Sequence, residues 1–106
     1  MNAEMYRACA ISVTDIESDD IRVVCAQAAD ELLSVSGVDA SFVIFKTDDI
    51  INISARSMGK VNVQLIMEAL GGGGHQTMAA VQLKGITESQ IKDMLKTAID
   101  NYYSNL

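Results

Sequence analysis

Apolar positions along the chain follow two rhythms, one of strands and one of helices. Tyr6 to Val13 carries Ala8, Ala10, Ile11 and Val13 in a short, largely apolar run, which predicts a strand covered on both faces. Met1 to Met5, before it, has no periodicity and is expected to be a frayed start. Asp15 to Asp20 is acidic and polar, a loop into a helix with Ser18 or Asp19 as N-cap. Ile21, Val24, Cys25, Ala28, Ala29, Leu32 and Leu33 then recur at helical spacing and make one wide apolar stripe. Gly37, after Ser36, suits a left-handed helix stop.

Ala40 to Phe45 is rich in β-branched and aromatic residues. Ile51, Ile53 and Ala55 alternate with Asn52, Ser54 and Arg56, the period of a strand with one buried and one polar face. Thr47-Asp48-Asp49 between the two runs predicts an antiparallel hairpin. Val61 to Leu70 reads as a helix with Val61, Leu65, Ile66 and Leu70 on one side, and it ends at four consecutive glycines and His75. Met78 to Leu83 predicts another strand. Thr87 with Gln90 three residues later forms a capping box for a last helix, Glu88 to Tyr103, with Ile91, Met94, Leu95, Ala98 and Ile99 buried. The predicted order is β-α-β-β-α-β-α, an α/β fold in which helices pack on a mixed β-sheet. Residues 1–106 are expected to form a single domain.

Composition narrows the function. Nearly half the residues, 49%, are apolar, so the chain is a folded one rather than a disordered one. No apolar run approaches the roughly 20 residues of a membrane helix, and no basic region precedes an apolar one, so no signal peptide is expected. The formal net charge of −6 argues against duplex DNA as a partner, which needs many Lys and Arg phosphate contacts. Cys9 and Cys25 fall on a predicted strand and helix and read as small buried hydrophobes of a reduced, cytoplasmic protein. With one His, they make no zinc site. Met58, Met67, Met78 and Met94 read as core filler, and Asp15, Glu17, Asp19 and Asp20 as solvated loop charge that lacks the order of a calcium loop.

Leu70 to Ala80, LGGGGHQTMAA, is the segment richest in chemistry. A helix stop needs one glycine, not four. Glycine accepts positive φ and lets a ligand approach the main chain, and successive N–H groups can converge on an anion. Gly72, Gly73 and Gly74 with the side chain of His75 therefore suit a phosphate cradle; a plain flexible connection fits the glycine count equally well. Should Gly73 expose its N–H at positive φ, a β-branched residue there would block the approach. Arg56, with Ser54 and Asn52 on the polar side of its strand, is a second candidate, since a guanidinium holds phosphate bidentately. Spacing alone fits a surface ion pair as well. Asn62 fits either an amide contact or a helix cap.

GGGGH followed by Ala79-Ala80 resembles the GGGH-x-x-AA signature of the C-terminal, substrate-binding domain associated with DHH phosphoesterases. Gln27 to Asp30, Ala40 to Ile44, Ile53 to Ser57, and Val61 to Gln64 running into Gly71 resemble one branch, the membrane-anchored GGDEF-DHH phosphodiesterases that hydrolyse cyclic di-AMP. The resemblance spans roughly Tyr6 to Tyr102. Many relatives, RecJ-type nucleases among them, have Gly after the paired alanines; this chain has Val81, which weakens the nuclease reading more than the phosphodiesterase one.

The resemblance implies a substrate-binding half of an enzyme that opens a cyclic dinucleotide to a linear one. Gly72, Gly73, Gly74, His75, Arg56, Ser54 and Asn62 would hold the substrate phosphate, and Ala79 and Ala80 would keep the wall behind the glycines small. It implies a DHH catalytic domain in the same full-length protein, carrying two divalent metal ions, expected to be manganese. This chain would hold no catalytic residue, metal or cofactor of its own. A membrane link would come only through N-terminal segments outside this sequence, which makes the chain the cytoplasmic domain of an anchored bacterial protein. The alternatives are a RecJ-like single-strand exonuclease or short-oligonucleotide hydrolase, or a non-catalytic nucleotide-binding module.

Overall fold

In the computed structural model, which describes residues 2–106, strand β1 (Glu4–Tyr6) turns back on β2 (Cys9–Thr14). The expected single run from Tyr6 to Val13 is thus split by a two-residue turn, in which Arg7 takes φ 55. Of the stretch expected to fray, Met1 lies outside the described residues, and Glu4 and Met5 pair with Ile11 and Ala10. Helix α1 (Ile21–Leu32) follows the acidic loop. Its N-cap is Asp20, without a side-chain cap bond, rather than Ser18 or Asp19. Its C-cap is Leu33 in the right-handed region, and the left-handed Gly37 comes only after a further turn. Strands β3 (Ala40–Thr47) and β4 (Ile50–Ser57) form the expected hairpin in unbroken register, closed by Asp48-Asp49 with Asp48 at φ 55.

Helix α2 (Val63–Ala69), a two-residue strand β5 (Gly73–Gly74), strand β6 (Met78–Lys84) and helix α3 (Glu88–Ser104) complete the chain. The six-stranded sheet has the order β1-β2-β3-β4-β6-β5. Only β2 and β3 are parallel, as the α1 crossover between them requires. The main core lies between one sheet face and helices α2 and α3. There Phe42, Ile44, Ile53 and Val81 meet Ile66, Met67, Ile91, Leu95 and Ile99. A smaller core forms on the opposite face, where Cys25 and Ala29 of α1 cover Val43 and Phe45.

That second layer corrects the expectation of a solvated polar face on β4. Asn52 and Ser54 are buried because α1 lies across β3 and β4. Burial requires partners for their polar atoms. The Asn52 amide donates to the Phe45 and Ile50 carbonyls and to Thr47 Oγ1, and its oxygen accepts from Arg22. Two other apolar assignments also differ. Leu65 is exposed, whereas Val61 and Ile66 are buried as expected, together with Val63 and Met67. Of the methionines expected as filler, Met67 is buried, whereas Met58 and Met78 are 82% and 51% exposed and Met94 is also exposed.

The last helix starts as its sequence dictates. Thr87 Oγ1 accepts from the Gln90 N–H and the Gln90 side chain accepts from the Thr87 N–H. Burial pushes the Cys9 and Cys25 thiols up to about 11, so both are protonated, inert packing groups at neutral pH. No helix among the described residues is long and apolar enough to cross a membrane.

Edge strand β1 is stitched to α3 by charge. Asp100 accepts from Tyr6 Oη at 2.6 Å and Arg7 Nε at 2.7 Å, while Glu4 lies 2.6 Å from Lys96 Nζ and 3.0 Å from Lys92 Nζ. These hydrogen bonds hold both carboxyls below their ordinary values. A depressed folded-state pKa contributes stability above the unfolded value and loses it as pH falls through the folded one. Amide protection in β1 should therefore drop relative to β3 when pH is taken from about 6 to below the carboxylate range near 4. Asp100→Asn should weaken β1 protection at about pH 6 and flatten its pH dependence. Equal β1 protection at both pH values would show that the charge stitching does not hold the strand.

Candidate functional site

The glycine segment joins α2 to the sheet edge, and each glycine has a different task. Gly71 (φ 93) is the left-handed residue after the helix; its N–H donates to the Glu68 carbonyl and the Gly72 N–H to Met67, the paired bonds of a Schellman stop. At Gly72 a Cβ would lie 2.2 Å from the Ala80 carbonyl oxygen, so only glycine lets the chain pass this close to β6. Gly73 then pairs with Ala80 and Gly74 with Ala79. The His75 N–H donates to the Met78 carbonyl at 2.6 Å, and the Met78 N–H donates back.

That reciprocal pair fixes the phase of the ladder. Bonded and non-bonded pairs alternate in antiparallel strands, so Gly74–Ala79 is the non-bonded pair and the Gly74 N–H faces away from β6. Gly71, Gly72 and His75 have engaged their N–H groups within the fold. The segment therefore presents a single outward main-chain donor, not the converging nest that four glycines suggest. The strained residue is Gly74, at φ 145 with a virtual Cβ 2.5 Å from Ala79 Cα; Gly73 has no positive φ and open space where a Cβ would stand.

Register brings most of the candidate side chains into adjoining rows. Arg56 pairs with Met78, and the Met78–His75 bonds continue that row to His75. Ser54, Ala80 and Gly73 form the next row on the same face. With strands about 4.8 Å apart, Arg56 and His75 backbones are roughly 10 Å apart across β6. Half-exposed Met78 lies between them on β6; exposed Ala80 lies one row away, between Ser54 and Gly73, and Ala79 is buried in the main core, so the two alanines serve opposite faces.

Arg56 is the unsatisfied group of this face. Its side chain is 12% exposed; Nη1 donates to the Ala55 carbonyl, and Nε sits 3.5 Å from Asp30 Oδ1. That contact has the distance of an ion pair but not the geometry of a hydrogen bond, and Nε is a buried donor with no partner among the described residues. Asn62 stands apart: its Oδ1 accepts from the Gln64 and Leu65 N–H groups, so it caps α2 on the other side of the sheet. The Asn62 N–H donates to Tyr102 Oη.

Periodicity did not single out Arg22, Gln82 or Asp30. Arg22 and Asp30 sit on the polar side of a helix and Gln82 on a strand, and only the α1–sheet contact brings them to Asn52 and Arg56. As for the metal pair of the phosphoesterases, the residues present do not fit it. No group of three or more His, Cys, Asp or Glu among the described residues is placed to hold a metal ion.

The glycines give a direct test. Gly72→Ala and Gly74→Ala should each cost about 1–3 kcal/mol of stability, from backbone clash and, at Gly74, positive φ. Gly73→Ala should stay within about 0.5 kcal/mol. Denaturant unfolding measures all three; equal costs at Gly73 and Gly74 would contradict the close approach of Gly74 to β6.

Comparison with known proteins identifies the family. Residues 8–104 match the DHHA1 domain. The chain is 58% identical over 83 residues to the cyclic-di-AMP phosphodiesterase GdpP of Bacillus subtilis (strain 168), covering 77% of this chain and 13% of that protein. It is 56% identical over 82 residues to the cyclic-di-AMP phosphodiesterase PdeA of Listeria monocytogenes serotype 1/2a (strain 10403S), covering 76% of this chain and 12% of that protein. It thus spans about an eighth of the length of these curated relatives. Among solved structures, an exopolyphosphatase-related protein from Bacteroides fragilis superposes with a TM-score of 0.75 at 25% identity, over 95% of this chain and 32% of that one. A mixed sheet with three helices, the glycine edge and a match over nearly the whole chain place this protein in the DHHA1 domain family.

Proposed function

We propose that this domain grips a phosphate of a nucleotide substrate for a phosphodiesterase centre carried elsewhere in the same protein. The substrate is cyclic di-AMP, opened to the linear dinucleotide. The observation that carries this reading is Arg56, a largely buried guanidinium with an unpartnered Nε, set in the same row as His75 on the open face of the sheet. A buried donor without an acceptor costs free energy, and an anion would relieve it. Asp30, 65% exposed, holds the guanidinium loosely enough to release it to a ligand. The relatives named above support the substrate class. Ser54 would contribute its hydroxyl from the adjoining row, and Gly72 and Gly73 would shape the edge. Asn62 would act by fixing the start of α2. The catalytic metals, expected to be manganese, and any membrane anchor would belong to the DHH domain and other segments outside this sequence.

Arg56→Ala and His75→Ala should each weaken phosphate binding about ten- to a hundredfold, the loss of a hydrogen bond to a charged group. Titration of inorganic phosphate into the chain, followed residue by residue by NMR, reads this out. Wild-type shifts should centre on Gly74, His75 and Arg56. Unchanged binding by both folded variants would overturn the site.

The chain alone should not hydrolyse cyclic di-AMP, even with manganese, since two-metal hydrolysis needs several ligands around a metal pair. Turnover by contaminant-free protein that is lost on a substitution in this chain would defeat the division of labour.

A further inference from the structure

The site described above occupies one end of a longer strip. On the same face of the sheet, α1 covers β3 and β4 and leaves β6 and β5 open. The strip has a wall and a floor. Arg22, Ala26 and Asp30 recur every fourth residue along α1 and form one side, two charged ends with a small residue between them. Ser54, Ala80 and Gly73 make a floor of small residues. Arg56 and His75 stand at one end of the floor, with half-exposed Met78 between them. Asn52 and Gln82, paired across β4 and β6, stand at the other, with Arg22 above them. Four strand residues separate the rows of Met78 and Gln82, about 14 Å. That is the reach of an extended mononucleotide from phosphate to base.

The far end is organised around one amide. Asn52 has its carboxamide engaged on both atoms, by the β3–β4 hairpin and by Arg22 Nη1 at 3.1 Å. With its oxygen turned to Arg22, Gln82 accepts from Nη1 at 2.7 Å and Nη2 at 3.2 Å. This orientation satisfies both groups, which is how an amide is assigned. It also decides which atom is left over. The Gln82 Nε2 donors face away from Arg22, on an exposed side chain at the end of the strip.

Arg22 itself is a poor second phosphate site. It is already engaged, and Asp15, Glu17, Asp19 and Asp20 line the same cavity. Their field repels an anion there and leaves a neutral heterocycle unaffected. Resting on the phosphate assignment at Arg56, we infer that the strip binds the nucleoside of the same ligand. The base lies over Ala80 and Gly73, and the Gln82 amide, held by Arg22 and Asn52, donates to an acceptor on the base edge. Gln82 is thereby a specificity-determining residue, and Arg22 a positioning residue that sets the direction of its donors.

The test compares two probes, inorganic phosphate and adenosine 5′-monophosphate, titrated by NMR into the chain and two variants. Gln82→Glu keeps the acceptor toward Arg22 and removes the donor. Gln82→Leu removes both without adding charge. Position 82 is exposed, so both variants should fold, and unchanged amide spectra away from it confirm this. Wild type should bind the nucleotide at least about tenfold tighter than phosphate and shift the Gln82 side-chain amide. Each variant should lose about two- to tenfold in nucleotide affinity and nothing in phosphate affinity, since position 82 lies beyond a Debye length of about 8–10 Å from the phosphate. If the nucleotide binds no tighter than phosphate, or its advantage survives both substitutions, the base site is wrong and the phosphate site stands. If neither probe perturbs Arg56, Gly74 or His75, both are wrong.

Discussion

Helix α1 lying across the middle of the sheet is the constraint on which the rest of the structure depends. It places Cys25 and Ala29 on Val43 and Phe45 and so buries the second face of β3 and β4. Every polar side chain of β4 then has to be answered inside the fold. Asn52 is answered by the hairpin and by Arg22. Ser41, beneath the other end of the helix, donates to the Ala29 carbonyl. Arg56 is answered only in part, and that deficit lies where the helix ends and the open strands begin. The same packing that stabilises the sheet thus leaves one strong donor wanting an acceptor.

The opposite edge is built by the absence of side chains. Gly72 and Gly74 let the chain leaving α2 run against β6 at distances no Cβ allows. The close approach forms β5, and β5 turns a single N–H outward. A helix stop, a tight crossing and an edge donor follow one another within the glycine run, which accounts for it without invoking flexibility. Beside it, exposed Ala80 keeps the floor low between Gly73 and Ser54.

Charge distribution separates the two ends of the strip. The acidic loop before α1 surrounds the Arg22 end, whereas at the Arg56 end Asp30 is the one carboxylate paired with the guanidinium among the described residues. An anion is drawn to one end and a neutral ring is tolerated at the other. In a chain of net charge −6, a ligand phosphate has to be held by a few local donors rather than by the general field.

Periodicity by itself determined the α/β class, the β3–β4 hairpin, the apolar stripe of α1 and the capping box at Thr87 and Gln90. These depend on neighbours close in sequence, so local composition carries them. The GGGGH run and Arg56 were also legible as candidates, because glycine and arginine have few other uses in such company. Only the tertiary structure decided which glycine is strained, since that depends on β6 passing beside Gly72 and Gly74. It also decided that the alternation in β4 marks two covered faces rather than one, since a strand's pattern does not say whether a helix will cross it. Strand β1 escaped notice because so short a strand shows no period, and what fixes it is Asp100, far along the chain. Arg22 and Gln82 lie 60 positions apart; nothing local links them, and only the docking of α1 on the sheet makes them neighbours.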